Sequence, residues 1–227
     1  MTSYLPPPIP QPLVLLAAGR SVRMGRPKPL LRWRGATLLE HACQAVRSGG
    51  VDPVLVVAED SRWLRDRAGS VGEVIWVSCR TATQGQSESL RAGLAAARAA
   101  APAARAVLVG LVDQVGLHPE AVRRILESVA QDDADVWVAD YGAQRRIPGH
   151  PVALGPMTWP LVDGLRGDVG ARDILKDLGT RLKWVPLPAA WRPFDCDTPE
   201  DYQNLLARDG SAESAARVVA PCMDPRS

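Results

Sequence analysis

No block of like charges runs through this sequence, and its 227 residues carry a formal net charge of only +2. Domains that bind nucleic acid usually carry a clear basic excess. No nucleic-acid partner is therefore expected. No apolar run approaches the roughly 18 residues that a bilayer-spanning helix needs, so no membrane association is expected either. The start, Met1-Thr2-Ser3-Tyr4, lacks the basic residues and continuous apolar stretch of a signal peptide. A cytoplasmic protein is the expectation. The four cysteines, Cys43, Cys79, Cys196 and Cys222, form no CxxC pair. This argues against a zinc knuckle. Four cysteines in a chain of this length do not make a disulfide scaffold, so reduced thiols are expected. No internal repeat is evident.

The ends differ from the middle. Leu5 to Pro12 reads LPPPIPQP, too rich in proline for helix or sheet, so residues 1–12 are expected to form a disordered arm. Residues 208–227, rich in Gly, Ser and Ala from about Asp209, are expected to be a flexible tail. Residues 13–207 are left as one domain, and the 46% hydrophobic share is ordinary for a packed one.

Within that domain, short apolar runs alternate with amphipathic stretches. Leu13–Ala17, Val54–Ala58, Val74–Val77, Ala106–Leu111 and Asp135–Ala139 read as strands buried on both faces. Helix signals lie between them. Thr37 with Glu40 forms a capping box before a helix that runs to Ser48. Asp60 can cap the next helix, Ser87–Ala100 is a strong helix former, and Pro119 opens another. Such alternation implies right-handed βαβ units: an α/β, three-layer Rossmann-like fold with a mostly parallel sheet. Past Tyr141 the rhythm changes. Gln144–Leu154 reads as strands around a turn at Pro148-Gly149. Two short helices, a strand at Lys183–Pro186 and a helix from Pro199 to about Leu206 follow. This half is expected to be a β-rich insertion covering a site on the sheet.

Open parallel sheets bind ligands at the carboxyl ends of their strands, and four chemically unusual segments should arrive there. Leu16 to Lys28 (LAAGRSVRMGRPK) holds Gly19 and Gly25, which allow close backbone approach to a ligand, and the charges of Arg23 and Lys28, which suit a triphosphate. It is neither a Walker A loop nor GxGxxG. A basic surface turn is its bland reading. Asp113 ends a buried strand, a natural place for a Mg²⁺ ligand. Asp195 and Asp197 alternate, which puts them on one side of an extended strand. They could bind metal, or Thr198 or Asp197 could cap the helix begun by Pro199. Gln84-Gly85-Gln86-Ser87-Glu88-Ser89 runs into a helix N-terminus, either an anion or base site or a plain cap by Ser87. No Ser-His-Asp set or catalytic cysteine is evident.

Together these residues resemble the molybdenum cofactor nucleotidyltransferases. The family's opening motif, LAAGxSxRMGxxKxL, is matched from Leu16 to Leu30, and its LxDQ segment ends on Asp113 and Gln114. Arg146–Val152 looks like the GHPV segment, Gly167–Arg172 like GDxGAR, and Asp195–Asp201 like DxDTPED. Val115 stands where the family usually has proline. The Leu16-Ala17-Ala18-Gly19 run and the late aspartates resemble the cytidylyltransferase branch. The resemblance implies CTP and molybdopterin as substrates, Mg²⁺ as cofactor, and a molybdenum hydroxylase as receiver of the product. It implies metal binding by Asp113 and Asp197, with Arg23, Lys28 and Asp113 as the catalytic set. Nucleotide contacts fall to Leu16, Ala17, Ala18, Gly19, Gly25, Gln86, Ser87 and Ser89. His150, Asp168 and Arg172 fall on the acceptor side, although His150 also reads as a purely structural histidine. The rivals are transfer of another nucleotide or to another phosphorylated acceptor, a dinucleotide-dependent reductase on the same sheet, and a non-catalytic cofactor carrier.

Overall fold

The computed structural model describes residues 9–19, 21, 23–142, 147–174 and 181–208, apart from the side chains of residues 172 and 173. In chain order the elements are β1 (Leu13–Leu16), β2 (Arg32–Trp33), β3 (Ala36–Thr37), α1 (Leu38–Ser48), β4 (Val54–Ala58), α2 (Ser61–Arg65), β5 (Ile75–Ser78), α3 (Gln86–Ala100) and β6 (Val107–Leu111). There follow β7 (Gln114–Val115), α4 (Pro119–Gln131), β8 (Val136–Asp140), β9 (Gly149–Leu154), α5 (Trp159–Gly164), α6 (Ala171–Ile174), β10 (Leu182–Pro186), β11 (Phe194–Asp195) and α7 (Pro199–Ala207). None of the described helices is long and apolar enough to cross a membrane.

Seven strands form one sheet in the order β10-β8-β9-β6-β1-β4-β5. β1 runs parallel to both β4 and β6, and β10 runs parallel to β8. The strands bury both faces because helices cover both. Successive side chains point to opposite sides. Leu13 and Leu15 join the core beneath α1 and α4, while Val14 joins the core beneath α3. Val54 and Val56 against Leu55 and Val57 divide in the same way. Gly93 lets α3 lie close, since a Cβ there would meet Val14 Cγ1 at 2.4 Å and Val57 Cγ2 at 2.9 Å.

The helix starts follow local chemistry. Thr37 and Glu40 form the full capping box of α1. Asp60 accepts from the Trp63 amide at the start of α2, and Thr198 with Asp201 makes a second capping box on α7. Glu40 also accepts from the Ser70 amide, so it ties a distant loop to the cap. The Thr37 amide, first, and the Ser70 amide together hold its carboxyl below the usual 4.5.

The structure corrects several expectations. Gln11 and Pro12 do not belong to a mobile arm. Gln11 Oε1 accepts from the Ala106 amide, and the Gln11 and Pro12 carbonyls accept from Asp52 and Leu108. They prolong β1 into the sheet, where a proline needs only its carbonyl. Residues 1–8 and 209–227 lie outside the described residues. Pro148-Gly149 is no turn between two covering strands. β9 starts at Gly149 and runs antiparallel between β6 and β8, inside the main sheet. Residues 143–146 lie outside the described ones. Ser87 does not cap α3. The helix begins one residue earlier, after Gly85 at φ +137°, where a Cβ would fall 2.1 Å from the Gly167 carbonyl group. Cys43, Cys79 and Cys196 are free and buried, as expected of reduced thiols, and Cys222 lies outside the described residues.

Two outcomes are expected in unfolding experiments. Glu40→Ala lowers stability by about 1 kcal/mol at neutral pH, as for loss of a cap. Glu40 stabilises the fold in its ionised form, so this gap closes as pH falls below about 4.5 in urea titrations. Gly85→Ala combines a forbidden φ with a backbone clash and costs on the order of 2 kcal/mol or more. Its thermal midpoint falls, and proteolysis near residues 165–170 speeds up.

Candidate active site

From β1 the chain moves outward through β4 to β5, then returns to place β6 on the other side of β1. The order reverses between β1 and β6, and a crevice opens at such a point beyond the strand ends. Leu16 and Leu111 pair there in register. The segments that leave these two strands, residues 17–30 and 112–118, must therefore meet.

A cleft at this junction is lined by Leu16, Ala17, Gly19, Ser21, Arg23 and Lys28 from the first segment. Pro29, Val112, Asp113 and Asp197 complete it. Leu16 and Ala17 form wall rather than donors. The Leu16 carbonyl accepts from Val112, and the Ala17 amide donates to Val57. The first backbone N–H groups beyond the sheet are those of Ala18, which is buried, and Gly19, which is exposed. Ser21 sits at φ +49°, in the left-handed region that costs a non-glycine residue strain. That geometry lets its carbonyl accept from the amides of Met24 and Gly25. Its hydroxyl accepts from the Lys28 amide at 3.2 Å. The turn thus delivers the lysine to the cleft.

Lys28 Nζ lies 2.8 Å from Asp113 Oδ2 and 2.6 Å from Asp197 Oδ1. The three side chains are 14%, 29% and 45% exposed, respectively. Burial alone would push the lysine pKa down. The two carboxylates outweigh it and hold the pKa above 10.5, so the ammonium stays charged at neutral pH. Cys196 lies beside this cluster with its thiol pushed up to about 11 by burial. It is an unreactive thiol there.

A two-stranded ribbon of β7 and β11 separates this cleft from a second pocket. Gln114 pairs with Asp195 in register, and the Cys196 amide donates to the Asp113 carbonyl. The second pocket is lined by Gln114, Tyr141, His150, Arg192, Asp195 and the Ile147–Gly149 turn-in. Asp195 and Asp197 were expected on one side of a strand. They part company because β11 ends at Asp195. Asp195 accepts from Gln114 in the second pocket, whereas Asp197 lies beyond the strand at the foot of α7 and turns to Lys28.

The remaining expected residues lie elsewhere. Ser87 is fully buried and donates its hydroxyl to the Gly167 carbonyl at 2.8 Å, and Ser89 is also buried. Neither hydroxyl lines the cleft, which corrects the expectation that they touch base or ribose. Gln86 packs against Gly170. Exposed Asp168 belongs to the same loop, whose carbonyl Ser87 holds. Gly25 closes the Ser21 turn at φ +66°. His150 is buried on β9, and its carbonyl accepts from the Tyr141 hydroxyl. Arg172 lies in α6 and its side chain is outside the described residues. Sequence reasoning did not single out Ser21, Gln114, Tyr141 or Arg192. Ser21 and Gln114 carried a signal, as the serine of the opening motif and the last residue of the LxDQ match; Tyr141 and Arg192 carried none.

Comparison with known proteins agrees with this geometry. Residues 13–182 match the family model for the MobA-like NTP transferase domain. Nicotine blue oxidoreductase of Paenarthrobacter nicotinovorans is 33% identical over 200 residues, covering 85% of this chain and 95% of that protein. A probable molybdenum cofactor guanylyltransferase of Opitutus terrae is 41% identical over 54 residues, 24% of this chain and 27% of that protein. Among solved structures, Rv0371c of Mycobacterium tuberculosis H37Rv superposes with a TM-score of 0.72 at 27% identity, covering 87% of this chain and 98% of that one. That protein has also been solved in complex with manganese. The family match spans the central sheet from β1 to the start of β10 and includes Lys28 and Asp113, and the chain belongs to the MobA-like NTP transferase domain family of nucleotidyltransferases.

Proposed function

We propose that this chain transfers CMP from CTP to molybdopterin, giving molybdopterin cytosine dinucleotide and pyrophosphate, with Mg²⁺ as cofactor and a molybdenum hydroxylase as the receiver of the product. The observation that carries the reading is the meeting of Lys28, Asp113 and Asp197 in a cleft at the reversal point of the sheet. The choice of CTP is supported by the LAAG opening and by aspartate at 195 and 197, both of which resemble the cytidylyl branch.

The donor set fits a divalent cation. Two carboxylates that converge on one ammonium can share one metal ion, and Mg²⁺ commonly takes one or two carboxylates and completes its shell with phosphates and water. Among the described residues no group of three or more His, Cys, Asp or Glu gathers around a point, which suits Mg²⁺ rather than a fully protein-built site. Asp113 and Asp197 would hold it, and it would neutralise charge on the triphosphate.

The chain's own part is positioning and charge. The acceptor's phosphate monoester has a second pKa near about 6, so it is largely dianionic at neutral pH. One of its oxygens attacks the α-phosphorus. One P–O bond forms, the bond to the β-phosphate breaks, and pyrophosphate leaves with the electron pair. No protein base is needed. Lys28 and Arg23 draw the triphosphate into the cleft and offset the charge on the leaving group. The Ala18 and Gly19 amides face the nucleotide, and the acceptor occupies the second pocket across the β7–β11 ribbon.

The likeness to nicotine blue oxidoreductase, which extends over nearly all of that protein, favours one second reading. In it the same cleft holds a nicotinamide dinucleotide and the chain reduces a bound heterocycle.

Three outcomes are expected. Pyrophosphate release with Mg²⁺ occurs with CTP and molybdopterin together, and not with GTP, ATP or UTP. NADPH oxidation without pyrophosphate release from any nucleotide would reverse the order of the two readings. Asp113→Asn keeps its circular dichroism and melting profile but loses about a hundredfold or more in turnover. Full turnover in that variant removes the aspartate from the metal site. Lys28→Met weakens CTP binding by about tenfold. It also tightens binding of Mn²⁺ alone, measured by electron paramagnetic resonance, because the ammonium no longer competes for the two carboxylates.

A further inference from the structure

Gln114 is the residue after Asp113, and alternation along β7 turns it from the cation cleft into the second pocket. It is only 8% exposed. Its amide nitrogen donates to Asp195 Oδ1 at 2.9 Å. An ionised carboxylate can only accept, so this bond fixes which way the amide faces and points Oε1 away from Asp195. Oε1 is buried and has no hydrogen-bond partner. Buried polar atoms of this kind are uncommon and ask for an explanation. Asp195 is exposed and lines the same pocket, and its carboxylate has a second oxygen besides the one that Gln114 engages. Two hydrogen-bonded residues thus both bring acceptor oxygens to this pocket, and one N–H of the amide is already engaged with Asp195.

We propose that Gln114 and Asp195 read the acceptor molecule by an edge carrying two adjacent N–H groups, a ring N–H next to an exocyclic amine, as in the amino-oxopyrimidine ring of a pterin. Gln114 Oε1 accepts from one group and Asp195 from the other. This assignment rests on the reading of the chain as a transferase with its acceptor in the second pocket. Arg192 is exposed, lines the pocket as the one Lys or Arg among its described lining residues, and suits the ring carbonyl on the same edge. The covalent spacing is short. Gln114 adjoins Asp113, and Asp195 lies two residues before Asp197, so whatever the pair holds is set in place relative to the cation cluster by the ribbon backbone. Gln114 is a specificity residue in this scheme and touches no reacting atom.

The test uses the full chain with Mg²⁺ and CTP. The probes are 6-hydroxymethylpterin and its 2-oxo counterpart, in which a carbonyl replaces the amine. Binding is followed by quenching of pterin fluorescence, and CTP binding is measured separately. Wild type is expected to prefer the pterin by at least about tenfold, because the 2-oxo compound sets an acceptor against an acceptor. Gln114→Met and Asp195→Asn are each expected to lose that preference while binding CTP as wild type does, which also shows that they are folded. Equal affinity of wild type for the two probes, or a Gln114→Met variant that keeps the preference, overturns the assignment. CTP binding with no pterin binding also overturns it and leaves nucleotide transfer standing. A pterin preference abolished by Gln114→Met in a chain that binds no nucleotide supports the pair and removes the transferase reading instead.

Discussion

One ammonium group holds together three distant parts of the chain. Lys28 bridges to Asp113 across 85 positions and to Asp197 across 169. Two carboxylates brought this close repel unless a cation lies between them, and a lysine largely removed from water needs anions in return. Each charge is tolerable only because the others are present. The strained turn at Ser21, the reversal of the sheet between β1 and β6, and the capping box that anchors α7 all serve to keep these groups in register. The triad thus gathers both signs of charge in one small space.

The β7–β11 ribbon extends that logic sideways. The ribbon and the residues flanking it serve two pockets at once, with Asp113 and Asp197, just outside the strands, on the cation side and Gln114 and Asp195, within them, on the other. The partition arises from the twofold alternation of extended backbone and from the end of β11 at Asp195. A shift of one residue in this pairing would exchange the two sets of side chains. The backbone bond from Cys196 to the Asp113 carbonyl pins the register where such a slip would be most damaging.

Much of this was legible because it is local. The capping box at Thr37, the Asp60 cap, a cap by Thr198 or Asp197 ahead of Pro199 and the apolar runs of β1, β4, β6 and β8 follow from neighbouring residues alone. The resemblance in the opening motif and in the late aspartates marked Lys28, Asp113 and Asp197. What stayed hidden depends on contacts far along the chain. Nothing near Ser87 shows that its hydroxyl bonds to Gly167, 80 residues away. Alternation at Asp195 and Asp197 implied a common face, but it could not show that the strand stops between them. The run from Gly149 to Leu154 reads as a strand, yet its sequence does not name its neighbours. Gln11 and Pro12 looked like the end of a proline-rich arm because composition does not reveal a hydrogen-bond partner at Ala106.

The position of β9 bears on how the chain must assemble. β6 receives β9 as its neighbour on one side, and β8 touches β6 only through it. During synthesis the first half of the sheet, from β5 to β6, is complete while one side of β6 still has open peptide groups. Those groups stay open until residue 154 has left the ribosome, and β8 has no partner before then. A growing chain is therefore an unfinished sheet with a sticky apolar margin for a good part of its synthesis, the kind of margin that pairs with other chains. The antiparallel strand that helps to frame the second pocket also ends that exposure, so one element both closes the fold and opens the site.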